Sequence, residues 1–117
     1  MKTGELHILF KALSNEQRLK LFLMLVKWCA HAGSDPNGRE KCFTKACQEM
    51  NLSRATISHH FKELQKAGLI QCTRNGQSYV CHINYEAVHA IRRFVEECQL
   101  GFSDLDEEEP RCGLLNN

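Results

Sequence analysis

Residues 43 to 70 read FTKACQEMNLSRATISHHFKELQKAGLI, a pattern that fits a short helix, a tight turn and a longer helix. Residues 44–50 supply the first helix and Asn51-Leu52 the turn. Ser53 is placed to cap the second helix, its hydroxyl accepting a hydrogen bond from an amide that the first turn leaves without a partner. Beyond it Ile57, Phe61, Leu64 and Ala67 recur at spacings of four, three and three, which sets them on one face. The opposite face carries Arg54, Thr56, Ser58, His59 and Lys62. A polar, donor-rich face toward the N-terminal half of a helix suits the reading of base edges in a major groove. Taken alone, it describes an ordinary solvated face equally well.

The residues that follow favour the first reading. Gly68 ends the helix, because the residue after a helix commonly needs the left-handed conformation. Residues 69–73 and 78–83 then read as two strands around Asn75-Gly76, a strong local signal for a type I′ hairpin. That turn sets Cys72 opposite Tyr79 and makes Cys72 and Cys81 diagonal neighbours. Helix, turn, helix and hairpin together predict a winged helix-turn-helix, mainly α with a β-hairpin wing, with Arg74 at the tip able to reach a phosphate or the minor groove.

The chain of 117 residues suits one domain over residues 1–100, followed by a flexible acidic tail over 101–117. Its net charge of +1 conceals an asymmetry: the tail sets Asp104, Asp106, Glu107, Glu108 and Glu109 against Arg111 alone, so residues 1–100 carry +5. A basic body beside a donor-rich helix fits a nucleic-acid partner. The longest apolar run, residues 19–29, is interrupted by Lys20 and Lys27, too short and too charged for a membrane span. With no signal-peptide pattern at the start, the expected location is cytoplasmic, with no membrane partner. Seven cysteines in that compartment argue against a disulfide scaffold. Soft-metal binding, redox sensing and plain apolar packing all remain open for them.

Flanking segments complete the outline. Leu6, Leu9, Phe10 and Leu13 form a helical stripe, and Ser14 with Gln17 resembles a capping box opening a second helix. In that helix Leu19, Phe22, Leu23, Val26 and Cys29 or Ala30 are expected inward, on an element apolar around more than one face and therefore central. Residues 33–40, GSDPNGRE, are a loop by composition. Asn84 caps a final helix whose stripe is Val88, Ile91, Val95 and Cys98, with Arg92, Arg93, Glu96 and Glu97 beside or opposite it.

LFKALSNEQRLKLFLML resembles the opening helices of the ArsR/SmtB family of bacterial winged-helix repressors. LSRATISHHFKELQKAGLI resembles that family's recognition helix, and NGQSYVCHI its wing. The similarity spans roughly residues 6–98. It implies a homodimer, paired through the first and last helices, that binds operator double-stranded DNA and releases it when an effector binds. By position it implies DNA contacts at Ser53, Arg54, Thr56, Ser58 and His59, with Arg74 and Gln77 on the wing, while His60 turns into the domain. Lys62 joins this set from its place on the polar face. The family's zinc site on the last helix would fall at Tyr85, Ala87, Cys98 and Gly101, which is not a zinc ligand set. Its thiol site before the recognition helix retains Cys42 and Cys47, with Thr44 in place of the middle cysteine. These two thiols are the expected sensor, open to trivalent arsenic, a soft metal ion or oxidation, with no cofactor required. Cys47 would gain thiolate character from the N-terminus of its helix, or be only a small packed residue.

No nucleophile–base order, phosphate loop or hydrolase motif is present, so an enzyme is not expected. The expected function is a homodimeric DNA-binding repressor that leaves its operator on a thiol-directed signal. The competing function is a winged-helix protein-interaction module without specific DNA binding.

Overall fold

A computed structural model of the chain describes residues 3–30, 42–75 and 78–101; the 33–40 loop, residues 76–77 and the acidic tail with Cys112 lie outside the described residues. The element order is α1 (Thr3–Leu13), α2 (Glu16–Ala30), α3 (Cys42–Met50), α4 (Arg54–Lys66), β1 (Ile70–Asn75), β2 (Ser78–Ile83) and α5 (Tyr85–Leu100). The expected helices and antiparallel hairpin are all present.

The junction of α1 and α2 is built one residue later than the capping box suggests. Asn15 Oδ1 accepts from the Arg18 amide at 2.9 Å and is the cap, while Ser14 Oγ donates to the Lys11 carbonyl at 2.7 Å and closes α1. Asn and Ser cap about equally well, so the shift is free and leaves Ser14 to satisfy a carbonyl at the end of α1. Arg18 Nη1 donates to the Ala12 carbonyl at 3.0 Å and ties the two helices together.

Helix α2 sits centrally, packed against α1, α3, α4 and β2. It buries Leu21, Phe22, Leu25 and Cys29, whereas Leu19 and Leu23, expected inward, are 39% and 58% exposed. A helix with leucines around most of its circumference offers two stripes of similar strength. The neighbours decide between them: Leu21 and Leu25 meet a core that includes Ile57, Leu64 and Leu69.

Helix α4 buries Ile57, His60, Phe61 and Leu64 and ends in a Schellman motif. The Leu69 amide donates to the Leu64 carbonyl and the Gly68 amide to the Gln65 carbonyl, both at 3.0 Å, with Gly68 at φ +86°. Asn84 then locks this corner from the far end of the hairpin. Its Nδ2 donates to the Gly68 carbonyl at 2.6 Å, its amide to the Leu69 carbonyl at 2.9 Å, and its Oδ1 accepts from the Glu86 amide to cap α5.

The hairpin register differs from the expected one. Ile70 pairs with Ile83, Cys72 with Cys81 and Asn75 with Ser78, so the connection is residues 76–77 and not Asn75-Gly76. Cys72 therefore faces Cys81, and the backbone of Arg74 is paired with that of Tyr79. The observed pairing sets Ile70 opposite Ile83, both buried. The Asn-Gly register would set Ile70 opposite Cys81 and carry Ile83 past the start of β1, so burial across the strands overrides the local turn signal.

In α5 the expected stripe divides. Val88 and Ile91 are half-buried, but Val95 is 48% exposed and Cys98 is exposed. Against the rest of the chain the helix presents Ala87, Ala90 and Phe94, the last edge-on to Phe10 of α1 with ring centroids 5.1 Å apart. Glu97, expected at the polar side, is buried, and its Oε1 has no hydrogen-bond partner.

Gly68→Ala should lower stability by about 1 to 2 kcal/mol in urea unfolding, because an added methyl meets nothing within 4 Å and the left-handed conformation alone is strained. His60 is buried with Nδ1 unpartnered, and desolvation, then Arg18 and His59, hold its imidazole below the usual histidine range. The folded state therefore resists protonating His60. Its contribution is complete above the unfolded value of about 6.5 and declines as pH falls through it. Unfolding curves should show a weaker dependence on pH between about 7 and 5 in His60→Gln than in the parent.

Candidate nucleic-acid interface

The turn between α3 and α4 depends on two residues. Asn51 takes the left-handed conformation at φ +54°, which asparagine tolerates better than most residues. Ser53 is extended, at φ −66° and ψ 155°, and its Oγ accepts from the Thr56 amide at 3.1 Å while donating to Thr56 Oγ1 at 2.9 Å. Both hydroxyls belong to the cap, and the Thr56 hydroxyl hydrogen is left to donate outward.

With Ile57, Phe61 and Leu64 seated in the core, the other edge of α4 faces solvent. Arg54, Thr56, His59 and Lys62 are exposed and Ser58 is half-buried. Exposure agrees with four of the five residues expected here, Ser58 being partly covered, and His60 is turned inward. Arg54 is also held in place: its guanidinium lies 5.1 Å from the Phe43 ring, and that ring packs on Phe61 at 5.5 Å. The cation at the start of α4 is therefore stacked on an aromatic that is itself fixed to the core.

A second stacked cation was not anticipated. Lys45, exposed on α3, lies with Nζ 4.9 Å from the Trp28 ring of α2. Its sequence signal, a lysine in the first helix of the pair, is too common to single out, since Trp28 lies far away in the chain. Arg74 is the penultimate residue of β1, but its side chain and residue Gln77 are outside the described residues.

The expected thiol pair does not assemble. Helix α3 begins at Cys42, so Cys47 lies in its second turn, away from the N-terminal amides, and the two cysteines are about 140° apart around the helix. Cys42 is fully buried, and its thiol is pushed well above the usual range by donating to Cys29 and by desolvation. A soft ion bridging Cys42 and Cys47 does not fit this helix. Cys42 instead hydrogen-bonds Cys29, and Cys72 and Cys81 are near enough to influence it electrostatically. Sequence reasoning missed that grouping because it depends on the hairpin register. Among the described residues, no three His, Cys, Asp or Glu side chains are placed to hold a metal ion, and no helix is long and apolar enough to cross a membrane.

Residues 37–71 match the model of the arsR family of bacterial regulatory proteins. The chain is 30% identical over 91 residues to the HTH-type transcriptional regulator YbzH of Bacillus subtilis, covering 74% of this chain and 91% of that protein. It is 32% identical over 89 residues to the HTH-type transcriptional regulator MJ1325 of Methanocaldococcus jannaschii, covering 76% and 89%. In fold it resembles the homodimeric winged helix-turn-helix DNA-binding domain of Mb0332 from Mycobacterium bovis, a possible ArsR-family transcriptional regulator, with a TM-score of 0.56 at 18% identity over 94% of this chain and 89% of that one. A capped second helix, a following hairpin and relatedness over 74% and 76% of the chain to such regulators agree: the chain belongs to the arsR family of transcriptional regulators, DNA-binding proteins and not enzymes.

Proposed function

We propose that this regulator is a homodimeric repressor that binds a two-fold operator and leaves it in response to a thiol-directed signal. The observation that carries the DNA reading is the outer edge of α4, where Arg54, Thr56, Ser58, His59 and Lys62 lie together on a helix anchored by its opposite edge. In this reading Ser58 and His59 contact base edges, Arg54 and Lys62 contact phosphates, and Ser53 and Thr56 set the first turn against the backbone. Lys45 adds a phosphate contact from α3, and Arg74 with Gln77 serves the wing.

Dimerisation is supported by what one copy leaves uncovered. Ile8 and Phe10 on α1 and Val95 and Leu100 on α5 are exposed apolar residues on two helices that touch each other. A single helix reads only a few base pairs, so useful specificity calls for a second copy and a second half-site. The Mycobacterium bovis domain of similar fold is homodimeric. Regulation through thiols is supported by the cysteine content and by the buried grouping around the hairpin.

Selection from random duplexes should return an imperfect palindrome, with affinity falling steeply as salt rises. Failure to prefer any duplex over random DNA at moderate salt would favour the protein-interaction module instead. Ser58→Ala with His59→Ala should cost about 1 to 3 kcal/mol of discrimination per lost base contact while leaving the circular dichroism spectrum and the dimer unchanged. Lys62→Ala should weaken binding to all sequences alike and reduce the salt slope by about 1. An unchanged operator preference in the double variant would show that α4 reads DNA through another edge.

A further inference from the structure

Four cysteines from four elements meet behind the hairpin. Cys72 of β1 and Cys81 of β2 are direct cross-strand partners with Sγ atoms 2.9 Å apart. Cys29 near the end of α2 donates to the Cys81 carbonyl at 3.5 Å, and Cys42 at the start of α3 donates to Cys29. The four sulfurs are organised as two pairs and not as a single ligand shell.

The members of the front pair differ in a chemically useful way. Cys81 is 1% exposed, whereas Cys72 is only half-buried. Either thiol of the pair can donate to the other; their hydrogen bond holds the Cys72 thiol below the usual cysteine range, while the same bond and desolvation push Cys81 up. The accessible sulfur is thus the better thiolate, and the sealed one keeps its proton.

We propose that Cys72 and Cys81 form a dithiol site for hydroperoxides, and that its conversion to a cross-strand disulfide is the signal that releases operator DNA. The Cys72 sulfur attacks one peroxide oxygen; the O–O bond breaks, the alcohol or water leaves, and Cys72 becomes a sulfenic acid. The Cys81 sulfur then attacks the Cys72 sulfur, the S–O bond breaks, and the hydroxyl leaves as water with the proton from Cys81. Two thiols and one hydroperoxide give one disulfide, one alcohol or water, and one further water. The sulfurs close from 2.9 Å to about 2.05 Å, a movement on the scale of side-chain rotation across already paired strands.

The site is positioned to influence α4. Strand β1 starts two residues after Gly68, and β2 runs directly into Asn84, whose bonds to Gly68 and Leu69 close the end of the recognition helix. A covalent link between Cys72 and Cys81 changes the twist of both strands feeding this corner and draws the Cys81 backbone away from Cys29. The regulatory consequence rests on the repressor reading; the chemistry does not.

The test is treatment of the purified full chain with a small excess of hydrogen peroxide, followed by peptide mapping without reductant and by fluorescence anisotropy on a selected operator. A Cys72–Cys81 link is expected, together with a loss of operator affinity of about tenfold or more that dithiothreitol reverses. Cys72→Ser should bind the operator and ignore peroxide, and Cys42→Ser with Cys47→Ser should respond like the parent. Cys81→Ala provides a second peroxide-insensitive variant in which Cys72 stops at the sulfenic acid, trapped by dimedone. Mapping that finds both cysteines unlinked, or a Cys72→Ser protein that still releases DNA on peroxide, overturns the proposal. A mapped link with unchanged operator affinity removes its regulatory part. Should the reduced parent prefer no duplex, the repressor reading fails, and the mapped link alone still decides the dithiol.

Discussion

The corner at Gly68 is the constraint on which the other elements depend. Two amides from Gly68 and Leu69 return to carbonyls at the end of α4, while the side chain and amide of Asn84 reach the Gly68 and Leu69 carbonyls from the other end of the hairpin. One turn of backbone therefore ends the recognition helix, joins the base of the wing and starts α5. These polar groups lie beside the fully buried Leu64 and Leu69, where an unmade hydrogen bond would cost roughly 1 to 3 kcal/mol, so the three elements are set in position together.

The local signals in the chain were readable where chemistry and geometry are both short-range. Ser53 and Asn84 as caps, Gly68 as a stop and the Ile57, Phe61, Leu64 stripe each need only a few neighbouring residues, and all stand as read. The misread features are those in which two local solutions compete. Asn75-Gly76 is a good turn, yet the pairing of Ile70 with Ile83 prevails because it buries both side chains. Helix α2 could have turned Leu19 and Leu23 inward, and only its surroundings select Leu21 and Leu25. Helix α5 carries apolar residues for its own domain and for a second surface, and a single period cannot separate the two sets.

The candidate interface was legible for a related reason. A capped helix with one buried edge has its other edge defined by subtraction, so Arg54, Ser58, His59 and Lys62 follow from Ile57 and Leu64. The thiols had no such logic. Cys29, Cys42, Cys72 and Cys81 are spread over more than fifty positions, and their meeting depends on the one feature of the hairpin that local reading placed wrongly. Cys42 and Cys47, near in sequence, are separated by the helix that contains them.

The stack of Arg54 on Phe43 on Phe61 couples hydrophobic packing to the free-energy cost of association. An arginine free in solution gives up rotamer entropy when it docks on a phosphate, of the order of 0.5 to 1.5 kcal/mol. Here part of that loss is already incurred on folding, because the guanidinium rests on a ring that the core holds in place. If Arg54 meets a phosphate as proposed above, Phe43 is an affinity determinant with no contact of its own to DNA. In a genetic screen, conservative changes at Phe43 would resemble the loss of a phosphate contact while the protein remained folded, and natural drift in that ring could tune operator occupancy without altering a residue that reads the sequence.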